Sequence, residues 1–270
     1  MLRQKIEKNV IMACHITGVF DVNRKNILKH DDFSLVQDWV NSVSDLNLQG
    51  IIFHNNFSEA TLLKHQNKKI IFLKIDYEYQ FNPNVYRYFI YRDFLLDHPE
   101  IENIFVTDVS DAVAIQNPFE QNLFLENTGE NYNENSKENS KENSEQNSGK
   151  IFCGDEPKQL DNDWMIEHST HLRNKIPNYS NYEKIFAEET LLNCGIIGGH
   201  RIVMLEFLKK LCALHKNYNY DNQTAFTGDM GAFNYLVRTK FNTRLIHGEP
   251  VNTIFKAYQT DRNDCWFRHK

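Results

Sequence analysis

The chain has 270 residues, 41% of them hydrophobic and 13% aromatic, enough to bury a sizeable core in one large α/β domain. A formal net charge of −6 argues against a dedicated nucleic-acid binder, which needs basic surface to neutralise phosphates. Five scattered cysteines with no CxxC pair suggest neither a disulfide framework nor a zinc knuckle, and no apolar run is long enough to span a membrane.

Residues 10 to 17, "VIMACHIT", form a short continuous apolar run before Gly18, the pattern of a strand buried on both faces. Val36, Trp39, Val40 and Val43 then recur at helical spacing over residues 34 to 48, with Ser34 placed to cap them. "GIIFHN" and "KKIIFLKID" predict two more strands. In "FNPNVYRYFIYRDFLLDHPE", Asn82 and Pro83 supply a cap and a first-turn proline for a helix closing near His98. Helical period places Arg92 within its apolar stripe of Val85, Tyr88, Phe89, Leu95 and Leu96, and puts Arg87 well round the helix.

The stretch "IENIFVTDVSDAVAIQNPF" ends an apolar run on Asp108 and Asp111 and then resumes it. Residues 127 to 149 repeat ENSK, ENSK, ENSE and QNSG, a polar tract with nothing to bury, expected to be a disordered insert within the single domain. Beyond it, "KIFCGDEP" predicts a strand ending in acids and "TLLNCGIIGG" a strand or strand-turn. Residues 202 to 216 and "DMGAFNYLVRTK" predict amphipathic helices, and "TRLIHGEPVNTIF" and "CWFRHK" short β or turn segments. Strands alternate with helices, which predicts an α/β fold with a mostly parallel central sheet and helices on both faces.

Ligand sites in such sheets gather beyond the carboxyl ends of the strands, where "NIFVTD" delivers Asp108. Two close carboxylates suit a hard cation such as Mg²⁺ or Mn²⁺; a solvated Asx-type turn is the plainer alternative. Gly195, Gly198 and Gly199 would let backbone approach a ligand, or would serve a tight turn. Their spacing fits neither GxGxxG nor a Walker loop. Asp229 opens a helix and is either a dipole partner or a reacting carboxylate. Of the eleven histidines, His247 in "LIHGEP" and His269 in "WFRHK" read as structural or exposed unless a convergent carboxylate pair makes one of them a ligand.

Taken in order, "VYRYFIYRDFLL", "VTDVSD", "LLNCGIIGG", "GDMGAFNYL", "PVNTIF" and "RHK" resemble the GT-A nucleotide-sugar glycosyltransferases, especially the group around glycosyltransferase family 8. The resemblance covers roughly residues 8 to 270 apart from the polar insert. It implies that Asp108, Asp111 and His269 hold Mn²⁺ or Mg²⁺, with His247 the alternative ligand. It places Arg87 near the donor sugar, Asn193 and Gly195 beside the sugar or acceptor, Asp229 at the reacting centre, Lys270 on the diphosphate, and Thr17, with residues 14 to 18, beside the nucleoside. The metal motif departs from the family in being DxxD rather than DxD, and Met230 follows Asp229 where a Gln is usual.

The implied activity is transfer of a sugar from a nucleoside diphosphate donor, a UDP-sugar, to a hydroxyl of a glycan or glycolipid acceptor in cytoplasmic assembly of a surface polysaccharide. Peripheral membrane association is compatible with it. The rivals are a sugar-phosphate nucleotidyltransferase, which needs a glycine-rich basic loop where "CHITGVFDVNRKN" has one glycine, and a non-catalytic binding protein on the same fold.

Overall fold

The structure, a computed structural model, describes residues 5–21, 25–77, 80–127, 149–218 and 228–270. In chain order, β1 (Asn9–His15) leads to a small hairpin, β2 (Phe20–Asp21) and β3 (Asn26–Ile27), followed by α1 (Ser34–Asp45) and β4 (Gln49–His54). Next come α2 (Glu59–Lys64), β5 (Ile70–Lys74), α3 (Pro83–Asp97), β6 (Asn103–Thr107), β7 (Ala112–Ala114) and α4 (Asn122–Asn127). After the polar tract stand β8 (Ile151–Gln159), α5 (Asp163–His168), α6 (Thr170–Lys175), α7 (Tyr179–Ile185), β9 (Thr190–His200), α8 (Arg201–Tyr218) and α9 (Asp229–Leu236). The chain closes with β10 (Leu245–His247) and β11 (Phe267–His269). Of the ENS tract, residues 128–148 lie outside the described residues, so its expected disorder is not addressed by the structure.

Among the described residues a seven-stranded sheet runs β10-β8-β9-β6-β1-β4-β5. β1 pairs in parallel with β4 and β6, β4 with β5, and β10 with β8, whereas β9 is antiparallel to both β6 and β8. The mostly parallel α/β architecture is therefore present. Alternation along each strand divides the core in two, because successive side chains leave opposite faces. Val10, Met12, Ile104 and Val106 pack with α3, α8 and α9; Ile11, Ala13 and Phe105 pack with α1 and with Phe124, Trp266 and Phe267. Burial on both faces explains why these strands are apolar throughout.

Three local expectations change. The N-cap of α1 is Phe33, not Ser34, and the Ser34 N–H is taken by Asp32 Oδ1 at 3.0 Å, since that acid forms the turn just ahead of the helix. Of the two readings of "TLLNCGIIGG" the strand holds and the strand-turn falls, since "NCGIIGG" lies inside the eleven-residue β9. There Gly198 is required by packing, because a Cβ at that position would stand 2.3 Å from the Phe105 ring. On α3 the arginines exchange roles. Arg87 is buried, while Arg92 pairs with its neighbour Asp93 at the helix edge, because the covered face is wider than a simple stripe and includes Val85, Tyr88, Phe89, Tyr91 and Leu95.

Candidate active site

A cavity of about 940 Å³ opens at the carboxyl ends of β1 and β6. Its floor begins where β6 stops. Asp108 follows Thr107 directly, and its N–H donates to the Gly195 carbonyl at 2.7 Å, locking the strand end to β9. The chain turns through Asp111 into β7, and β11 pairs antiparallel with β7 so that His269 sits opposite Ala112. The Lys270 N–H donates to the Asp111 carbonyl at 2.8 Å. Two residues separated by more than 150 positions from the acidic turn are thus delivered to it by a three-residue ladder.

The geometry converges above Gly195. A Cβ built there would lie 2.5 Å from Asp108 Oδ2, 2.7 Å from His269 Cε1 and 2.9 Å from Asn193 Oδ1, so three side chains occupy the space a larger residue would need. This is the use of the glycine: it admits side chains, not a tight turn. Asn193 Oδ1 accepts the Gly195 N–H at 2.7 Å, which turns its amide NH₂ toward Glu156 Oε1 at 2.9 Å.

Charge within the cavity is organised by Arg87. Its guanidinium pairs with Asp108 Oδ1, stands 4.0 Å from Asp229 Oδ2, and reaches the Cys194 carbonyl at 3.4 Å. Asp229 begins α9 after Gly228, whose φ of 65° suits glycine, and its Oδ1 accepts the Met230 N–H at 2.9 Å. Asp229 is therefore both a first-turn acid and a cavity-lining carboxylate. Lys270 also lines the cavity and pairs with Asp38.

His269 is 1% exposed, and neither ring nitrogen has a hydrogen-bond partner among the described residues; Nε2 stands 3.9 Å from Asp108 Oδ2. Burial lowers its pKa, against the opposing pull of Asp108 and Asp111, which favours the neutral imidazole that can ligate. A desolvated imidazole facing a carboxylate oxygen fits a divalent cation, and imidazole beside carboxylate suits Mn²⁺ better than Mg²⁺. Asp111 lines the same cavity, and among the described residues no three His, Cys, Asp or Glu side chains are grouped closely enough to hold a metal ion.

The remaining sequence candidates fall apart from this centre or at its edge. Thr17 is 2% exposed and off the cavity wall: Asn55 Oδ1 accepts its N–H at 3.0 Å and Asn55 donates to its carbonyl at 2.9 Å, which fixes the turn after β1. Its neighbours Cys14, His15 and Ile16 do line the cavity. Burial pushes the Cys14 thiol up to about 12, so it stays protonated and is no nucleophile at neutral pH. His247 binds Asp155 at 2.9 Å on β10, at the edge of the sheet and outside the cavity lining.

Sequence reasoning passed over Glu156 and α5. Glu156 is 7% exposed and lines the cavity, and Trp164 and His168 on α5 stack at 3.9 Å along its wall. "KIFCGDEP" marked the acids of β8 as a strand end, but the strand continues to Gln159, and that continuation carries Glu156 inward.

No protein-family model matches the chain, and no curated protein does. Among solved structures, a similar chain is described as a glycosyltransferase involved in the glycosylation of the major capsid of PBCV-1. It shares 15% identity over 97% of this chain and 92% of that one, with a TM-score of 0.43, a likeness too loose to bear on the chemistry of this cavity.

Proposed function

We propose that this chain is a divalent-metal-dependent glycosyltransferase that moves a sugar from a nucleoside diphosphate donor, a UDP-sugar, to a hydroxyl of a glycan or glycolipid acceptor. The observation that carries this reading is the meeting of Asp108, His269 and Asn193 above Gly195, with Arg87 and Asp229 beside them, in one cavity of about 940 Å³. That volume is of the size that takes a nucleotide-sized ligand. Exposed aromatic side chains at its mouth, Phe20, Trp164 and Tyr258, offer flat apolar faces of the kind that pack on sugar rings.

Asp108 and His269 would hold the ion, with Asp111 joining from the same turn. When bound, the metal supplies Lewis-acid stabilisation of the negative charge that gathers on a departing diphosphate. Arg87 pairs with Asp108 and stands 4.0 Å from Asp229, so the cavity floor holds a fixed positive charge between two carboxylates. Lys270, which lines the cavity and pairs with Asp38, would meet a phosphate on releasing that acid, and Asn193 and Gly195 would border the sugar.

The nucleotidyltransferase reading loses support from the turn after β1. A Cβ on its one glycine, Gly18, would meet His30 Cε1 at 2.2 Å, so a histidine ring fills the space where a phosphate cradle would open. Among the described residues no helix is long and apolar enough to cross a membrane. A role in cytoplasmic assembly of a surface polysaccharide is in keeping with the proposal. Screening nucleotide sugars with Mn²⁺ for hydrolysis and thermal stabilisation tests it: UDP-sugars should be turned over, and folded protein that neither binds nor hydrolyses any of them contradicts it.

A further inference from the structure

His269 lacks what ordinarily orients a metal-ligating imidazole. Such a ring usually donates its second N–H to a carboxylate or a carbonyl, which fixes its rotation and its tautomer. Neither ring nitrogen of His269 makes a hydrogen bond among the described residues, whereas His247 has Asp155 at 2.9 Å. Rotamer preference does not supply the missing constraint, because the outer torsion of a histidine side chain is broad. The β7–β11 pairing fixes where the side chain leaves the backbone, not how the ring turns.

A phenyl ring stands in that place. Phe255 lies 4.5 Å from the His269 ring, centroid to centroid, with the planes tilted by 55°, and it is the one aromatic contact of His269 among the described residues. Phe255 is half-buried and lines the cavity, and the Lys256 ammonium lies 5.0 Å from the centre of its ring. Each residue of β11 grips the segment that carries it. The Phe267 carbonyl accepts the Thr253 N–H at 3.0 Å, the Arg268 guanidinium donates to the Gln259 and Thr260 carbonyls at 3.1 and 2.7 Å, and the His269 N–H donates to Thr253 Oγ1 at 3.3 Å. Gln259 Oε1 closes the loop by accepting the Ile254 N–H at 3.1 Å. Lys256 and Tyr258 are held at left-handed φ values of 61° and 49°, a conformation that costs energy in residues with a Cβ and persists where the surroundings enforce it. The imidazole and the ring beside it are thus assembled as one unit.

Resting on the reading of His269 as a metal ligand, we propose that Phe255 is a positioning residue of the metal site: its ring sets the rotation of the His269 imidazole and so keeps Nε2 turned toward Asp108 Oδ2, 3.9 Å away. Packing between two flat rings takes the part of the usual outer hydrogen bond. An imidazole held this way meets an ion without first losing rotational freedom, so Phe255 should act on metal affinity.

The test titrates the full chain with Mn²⁺, alone and with UDP, and reads the free ion by its electron paramagnetic resonance signal. Phe255→Ala should weaken Mn²⁺ binding on the order of tenfold or more, the scale of effect seen when the outer partner of a metal ligand is removed. Phe255→Tyr keeps the ring and should bind Mn²⁺ within threefold of wild type. Ile254→Ala alters the same loop at an exposed side chain outside the cavity lining and should also match wild type.

Mn²⁺ binding by Phe255→Ala within threefold of wild type, or an equal loss in Phe255→Tyr or Ile254→Ala, would overturn the assignment while leaving the glycosyltransferase reading standing. Should Phe255→Ala fail to fold, Phe255→Leu, which keeps apolar bulk without a flat ring, decides by the same measure. Wild type that binds no Mn²⁺ with or without UDP, or His269→Ala that binds it like wild type, overturns the metal reading and this assignment together.

Discussion

Two histidines near the end of the chain, His247 and His269, lie on short strands and look alike in sequence, yet they meet opposite fates. His247 sits on an edge strand, is partly open to solvent, and has Asp155 as a hydrogen-bond partner at 2.9 Å. His269 is buried against the acidic turn, with neither ring nitrogen in a hydrogen bond among the described residues and Asp108 Oδ2 3.9 Å from Nε2. Burying a polar group without a partner costs about 1–3 kcal/mol, a cost that a bound ligand would offset. The difference shows where an imidazole is fully used by the fold and where it is kept for something else.

The largest effects should come from breaking the unsatisfied side of this comparison. His269→Ala or Asp108→Ala should lower metal-dependent donor turnover on the order of 10²-fold or more, measured by initial rates with the melting temperature as a check on folding. Gly195→Ala leaves both residues in place but puts a methyl group 2.5 Å from Asp108 Oδ2 and 2.7 Å from His269 Cε1, so one or both must move. Turnover should fall on the order of 10²-fold while melting changes little, because a displacement of about 1 Å can cost that much.

A different pair of histidines sets a pH dependence of stability. Burial holds His215 at about 3 and His54 at about 4, below the ordinary 6.5, so the unfolded chain binds protons that the native state refuses. Stability is full above about pH 6.5 and should fall below it, by up to ~1.4 kcal/mol per pH unit for each histidine, until their folded pKa values are reached. Denaturant melts between pH 7 and pH 5 check this, and His215→Leu should flatten the slope. The smallest effect is expected on the satisfied side: His247→Ala should cost about 0.5–1.5 kcal/mol of stability and leave turnover unchanged.

What sequence made legible follows from range. The strands and longer helices announce themselves locally: β1, β4, β5 and β6 are unbroken apolar runs, and Asn82–Pro83 marks the start of α3. The six- and seven-residue helices α5, α6 and α7 are too short to show a 3.6-residue period and were not foreseen. The cavity is legible only in part for the same reason. Asp108 is marked by its place after an apolar strand, but the burial of Arg87 depends on Asp108 at the end of β6 and Cys194 on β9 reaching it. Glu156 was hidden because a strand that carries acids reads as a strand that has ended. The choice between the two histidines needed the β7–β11 ladder, a pairing between residues 112–114 and 267–269 that no local pattern encodes.

The most direct measurement is Mn²⁺-dependent stabilisation by UDP, read as the shift in melting temperature, for wild type, His269→Ala and His247→Ala side by side. The account predicts a shift in wild type and His247→Ala that is absent in His269→Ala. A full shift in His269→Ala, or its loss in His247→Ala, would contradict it.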